Sequence, residues 1–186
     1  MLKIQRLNMD SSWKLVWNES SFLVDPWLIN SQIDYFKWFS EQWHIVEPVK
    51  IEDLGNYDAV LVSQPYTDHC HLETLAALNK TKVLATPSAA SIIQKAFPNK
   101  SVSSLPKLED NEWLKFGHLE IGYLKPAKLL AAQFYGLVIK NKNEVIVYCP
   151  HGFELKTEQI LVLKKYEVKL LVCNFSSFKA FWPRRI

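Results

Sequence analysis

Cysteine is scarce in this chain of 186 residues: there are three, at 70, 149 and 173, an odd number with no Cys-x-x-Cys spacing. Neither a disulfide framework nor a zinc knuckle is therefore expected, and a reducing compartment is. Long apolar runs are missing too. The opening MLKIQRLNMD holds no apolar stretch of signal-peptide length, and no run approaches the roughly 20 apolar residues that span a bilayer, so the expectation is a soluble, cytoplasmic protein with no membrane partner. Nor is there a large charge of one sign. With 22 Lys plus Arg against 19 Asp plus Glu, the net charge is +3 and the basic residues are scattered, too little for a nucleic-acid partner on electrostatic grounds. Repeats, low-complexity tracts and linkers are absent, so residues 1–186 read as a single domain.

What the chain has in quantity is apolar and aromatic residues: 48% hydrophobic, with seven Trp, seven Tyr and ten Phe. A chain of this length buries about two-thirds of the surface it would expose unfolded, which suffices without metal or disulfide staples.

The first third reads as short strands at Leu2 to Leu7, Trp13 to Trp17 and Phe22 to Val24, separated by Asn, Asp and Ser, which suggests an antiparallel meander. Ile33 to Trp43 is aromatic, and its spacing fits a short helix or an irregular cover, with Tyr35, Phe36, Trp38, Phe39 and Trp43 packed into the core or lining a pocket. From Tyr57 the pattern changes. Ala59 to Val62 is a buried-type strand, Leu72 to Leu78 a helix, Lys82 to Ala85 a strand, and Thr86-Pro87-Ser88 opens a helix through Ala96. That alternation implies parallel pairing with right-handed crossovers. Strands follow at Leu119 to Leu124, Phe134 to Ile139 and Val145 to Tyr148, the last two joined by the hairpin loop Lys140 to Asn143. A helix at Thr157 to Lys165, capped by Thr157, and a strand at Lys169 to Cys173 complete the series. Two blocks of strands with helices predict an α/β fold, a four-layer αββα sandwich whose polar turns gather along one edge.

VLVSQPYTDHCH, residues 60 to 71, sends an apolar strand straight into Asp68, His69, Cys70 and His71. Strand ends fix the backbone while the following loop exposes side chains, and Asp and His offer the oxygen and nitrogen that zinc, iron or manganese accept. The stretch resembles the metal-binding segment of the metallo-β-lactamase superfamily, His-x-His-x-Asp-His. Aligned on the final Asp-His, this chain has Gln64, Tyr66, Asp68 and His69, so half of that hallmark is replaced.

The resemblance continues in order. FLVDPWL, from Phe22 to Leu28, is similar to the early strand ending in Asp, particularly in the branch that includes ascorbate-6-phosphate lactonase. KVLATPSAASIIQ resembles the next strand and helix. HLEIGYLKPA resembles the strand that leads to another ligand histidine, where this chain has Lys125 and Lys128. VIVYCPHGF takes the place of the strand ending in Gly-Asp, with Pro150 and His151 instead of the bridging aspartate, and LLVCNFSSFKAFWPRRI lacks a final histidine. The resemblance implies an incomplete two-metal site, with Asp68, His69, His71 and His151 as candidate ligands for one divalent metal (zinc, iron or manganese) or none, and with Asp68, His69 and His151 as candidate catalytic residues.

Each candidate also has a plainer reading. Asp68 could cap the helix that begins near His71. His69 and His71 stand about 200° apart in a helix, so a helix would not point both at one metal, although a loop could. His151 could be the turn residue of Pro-His-Gly or, without metal, a general base. Cys149 reads as core or as a reactive thiol. Asp25 could orient a site histidine or serve its own Asp-Pro turn. Lys125 and Lys128 could hold an anionic group or be a solvated pair. The function expected is a divergent hydrolase acting on a small ester, lactone or phosphoester, and the alternative is a non-catalytic binding or structural protein, such as a homodimer, on the same fold.

Overall fold

The computed structural model describes residues 1–34, 36–78, 82–125, 134–152 and 155–173. The chain starts as a meander of β1 (Leu2–Arg6), β2 (Trp13–Trp17) and β3 (Ser20–Val24), each antiparallel to the one before. A two-residue pair follows, β4 (Gln32–Ile33) with β5 (Glu41–Gln42). Then β6 (Ala59–Val62), β7 (Lys82–Ala85) and β8 (Val102–Ser104) extend the first sheet in parallel, in the order β1-β2-β3-β6-β7-β8. The crossovers carry α1 (Leu72–Ala77) and α2 (Pro87–Ala96).

The second sheet runs β13-β12-β11-β10-β9, built from β9 (Leu114–Phe116), β10 (Leu119–Leu124), β11 (Gly136–Asn141), β12 (Glu144–Cys149) and β13 (Glu167–Cys173). Its strands are antiparallel except that β13, reached through α3 (Thr157–Leu163), lies parallel to β12. The cap of α3 is Lys156 rather than Thr157, and the Lys156 N–H donates to Gln159 Oε1 at 2.9 Å.

Side-chain alternation sorts the core into layers. On β6, Ala59 and Leu61 face Ile121, Leu137, Ile139 and Ile146 of the second sheet, while Val60 and Val62 face Leu75 and Ile93 of α1 and α2. On the far side Val138, Val145 and Val147 pack with Leu163 of α3. All four β6 residues are fully buried, and Val60, Leu61 and Val62 each contribute about 1.5–3 kcal/mol. The αββα order expected from the sequence is the observed one.

The aromatic stretch behaves otherwise. It forms no helix among the described residues and does not pack into the core: Phe36, Trp38, Phe39 and Trp43 are 60%, 83%, 68% and 63% exposed. Phe36 stacks on Trp38 at a ring distance of 5.9 Å and Phe39 meets Trp38 edge to face at 6.0 Å, so their spacing serves local contact on a surface hairpin. Tyr35 lies outside the described residues. Among the described residues no helix is long and apolar enough to cross a membrane.

Candidate active site

Because β3 and β6 run parallel, their carboxyl ends open on the same edge, and β12 of the facing sheet ends there as well. Asp25 follows β3, the loop from Ser63 to His71 follows β6, and Pro150 and His151 follow β12.

Asp25 is completely buried and has φ +46°, a left-handed conformation that Asp adopts more readily than most residues. Held so, its carboxylate becomes a hub. Oδ1 accepts the Ser63 N–H at 2.7 Å, and Oδ2 accepts the Ser63 hydroxyl at 2.5 Å and the His69 Nδ1–H at 2.8 Å. The Tyr148 hydroxyl lies 2.9 Å from both Asp25 Oδ2 and the Ser11 carbonyl, which share its single proton.

His69 is pinned by a tight turn in which its own N–H and that of Cys70 both reach the Tyr66 carbonyl, at 3.0 and 2.6 Å. With Nδ1 committed to Asp25, its Nε2 faces the Asp68 Oδ2 at 3.2 Å and the His151 Nε2 at 2.8 Å. Donor atoms of Asp68, His69 and His151 all lie within 4.8 Å of one another. His151 is exposed, with its ring 4.6 Å from that of Phe134, and the chain turns beyond it at Gly152, whose φ of +63° glycine takes without strain. A cavity of about 470 Å³ opens onto this group, lined among others by Arg6, Asp10, Trp13, His69, Tyr148 and His151.

Electrostatics follow from burial and neighbours. Burial alone would lower His69, but the Asp25 charge and hydrogen bond, aided by Asp68, override it and push His69 up to about 10. Burial raises Asp68, yet the hydrogen bond and charge of His69, and then His151, leave it below the usual 3.8. His151 is lowered by burial and by the neighbouring His69. In the metal-free chain a charged His69 therefore donates from Nε2 to Asp68 and to a neutral His151. Tyr148 is raised well above 10 by burial and by Asp25, so it stays a hydrogen-bond donor.

His71 does not join this group. Its Nδ1 accepts from the Thr74 N–H at 3.3 Å and meets the Thr74 hydroxyl at 2.9 Å, and its Nε2 lies 3.2 Å from the Ser31 carbonyl. Both nitrogens are engaged, so none is left for a metal. His71 is in fact the N-cap of α1, the role the sequence offered to Asp68. Lys125 is exposed and away from the residues lining the cavity, and Lys128 lies outside the described residues. Cys149 is buried, and its thiol is pushed up to about 12 by burial and by Cys173. Of the two readings of Asp25, the geometry answers to the orienting one. Sequence reasoning missed Tyr148, Ser63 and Arg6; the signal available was a Tyr just before the end of a strand whose other residues are aliphatic.

The family model for the beta-lactamase superfamily domain matches residues 7–172. The chain belongs to the beta-lactamase superfamily. Solved structures of this superfamily's fold resemble it across nearly its whole length. One is the isothiocyanate hydrolase from Delia radicum gut bacteria, 18% identical, covering 92% of this chain and 70% of that one, with a TM-score of 0.69. Another is a possible metal-dependent hydrolase from Veillonella parvula, 15% identical over 92% and 85% of the two chains, TM-score 0.65. A third is Igni18, a metallo hydrolase from the archaeon Ignicoccus hospitalis, 13% identical over 92% and 81%, TM-score 0.58. At these identities the likeness is one of fold. No curated protein matches the chain in sequence.

The superfamily's metals give a test of fit. Asp68, His69 and His151 supply one oxygen and two nitrogens, and a carboxylate orients one imidazole from behind, as ligand histidines require. The 2.8 Å between the two nitrogens is shorter than the roughly 3.3 Å that a tetrahedral zinc imposes, but His151 is exposed and free to give way. Gln64, at the place of a superfamily histidine, is fully buried with neither amide atom partnered among the described residues. Among the described residues, Asp68, His69 and His151 form one group that could hold a divalent cation.

Proposed function

We propose that this superfamily member is a hydrolase of a small ester, lactone or phosphoester, working at one divalent cation of the zinc, iron or manganese kind held by Asp68, His69 and His151. The observation that carries the reading is that donor atoms of these three side chains lie within 4.8 Å of one another, with His69 and His151 lining the cavity. Such an ion, when bound, would polarise the carbonyl or phosphoryl oxygen under attack.

The chain's own groups do the rest. Asp25 and Tyr148 hold the His69 ring in one orientation, and Asp68, with its partly exposed carboxylate, takes the proton of the attacking water. Water adds at the ester carbon or phosphorus, the bond to the leaving oxygen breaks, and that proton returns to the leaving oxygen. His151 borders the cavity where such a transfer would end.

The second reading is a non-catalytic binding protein. It is favoured by Gln64 and Tyr66 in place of two superfamily ligands. Metal analysis of protein purified without chelator separates the two. About one equivalent in the native protein, lost in Asp68→Ala, His69→Ala and His151→Ala, supports the hydrolase. Content well below one equivalent, with no difference among the variants, rejects it.

A further inference from the structure

We propose that Arg6 anchors an anionic group, a carboxylate or a phosphate, on the molecule that occupies the site cavity. The proposal rests on the reading of that cavity as the place of the substrate, and it adds the substrate's charge.

Arg6 lines the same cavity of about 470 Å³ as His69, Tyr148 and His151. It is the one arginine among the described residues, since Arg184 and Arg185 lie outside them. Its position is set by the sheet: at the end of β1 it stands directly opposite Trp13 of β2, and its guanidinium carbon sits 5.4 Å from the centre of the Trp13 ring. Its Nη2 donates to the Met9 carbonyl at 2.6 Å and to the Asp10 carbonyl at 3.3 Å. The head group is thereby aimed before any ligand arrives, which lowers the entropy lost on binding.

The charge is not neutralised by these contacts. Both acceptors are backbone carbonyls, and among the described residues Arg6 forms no ion pair with a carboxylate. A guanidinium carries five N–H donors in a planar fork, and the Nε and Nη1 donors have no partner among the described residues. Bonding the turn after β1 uses one amino group and leaves the other edge of the fork for a planar or tetrahedral oxyanion. Asp10 lines the same cavity and Arg6 offsets part of its charge, so Arg6 is the described lining residue that favours a negative ligand there. Met9, Trp13, Pro150 and Val172 supply apolar wall to the same cavity. The ligand that fits has an apolar body with an anionic end.

The test is binding of benzoate, phenyl phosphate and benzyl alcohol to EDTA-treated full-length protein, followed by ligand-detected NMR and calorimetry, for the native chain, Arg6→Gln and Arg6→Lys. Both anions are expected to weaken about tenfold in Arg6→Gln, as for loss of a charge-assisted hydrogen bond, with partial retention in Arg6→Lys and no change for the alcohol. Whichever anion binds the native chain more tightly tells carboxylate from phosphate. The proposal is overturned if neither anion binds the native chain, if Arg6→Gln holds them within about twofold, or if the neutral alcohol weakens equally. Because the assay is run without metal, an absence of metal from the purified protein would sink the hydrolase reading and leave this result standing.

Discussion

The Nε2 atoms of His69 and His151 lie 2.8 Å apart although 82 positions separate the two residues in the chain. One follows the central strand of the first sheet and the other follows β12 of the second, so this contact joins the two halves of the sandwich at the mouth of the cavity. Its geometry depends on Asp25, which holds the opposite nitrogen of His69.

Removing Asp25 should therefore be costly. Asp25→Ala strands the buried Ser63 N–H and hydroxyl and the His69 Nδ1–H, leaving the Tyr148 hydroxyl to the Ser11 carbonyl alone, and a loss of about 3–5 kcal/mol in urea unfolding is expected. Asp25→Asn keeps the shape and is expected to lower metal affinity about 10–100-fold with a smaller loss of stability. Unfolding of Asp25→Ala at the native midpoint would show that the carboxylate is not the hub.

The raised His69 sets an alkaline limit on the metal-free protein. Its folded pKa of about 10 exceeds the ordinary 6.5, so the stability it contributes is complete below pH 6.5 and is lost as pH climbs toward 10. Asp68 acts on the other flank: held below 3.8, it contributes stability above that value and loses it in stronger acid. Stability should fall between about pH 6.5 and about 10, by at most about 1.4 kcal/mol per pH unit, and His69→Gln should abolish that slope. A flat profile in the native chain would contradict the Asp25 to His69 pairing.

His71 distinguishes a cap from a ligand. His71→Ala should cost about 1 kcal/mol of stability through loss of the α1 N-cap, and His71→Asn should restore most of it. Metal content should be unchanged in both. A drop in metal content in His71→Asn, with stability kept, would return His71 to the ligand set.

The surface hairpin makes the opposite prediction from the core. Trp38, 83% exposed, should tolerate replacement by Ser within about 0.5 kcal/mol, whereas Phe22→Ala in the inter-sheet core should cost about 3–5 kcal/mol. Chemical denaturation of the two variants beside the native protein measures both.

Much of the architecture was legible because its signals are local. The aliphatic runs at Ala59–Val62 and Lys82–Ala85 coincide with β6 and β7, and Pro87 opens α2 where a first-turn proline belongs. Strands β8 and β9, Val102–Ser104 and Leu114–Phe116, escaped notice because three residues are too few to display a period. The aromatic hairpin was misplaced for a related reason: helical spacing of large side chains reports that neighbours can touch, and says nothing of which side the rest of the fold will cover.

The sequence by itself determined the layered α/β architecture and put Asp68, His69 and His151 at strand ends, because hydrophobic period and turn chemistry are properties of consecutive residues. Only the tertiary structure decided that His69 and His151 meet, that His71 turns away to cap a helix, and that Asp25, Tyr148 and Arg6 belong to the site. Those outcomes depend on how two sheets pack face to face and on which lone pairs other groups have already taken, and neither is written in the spacing of residues along one chain.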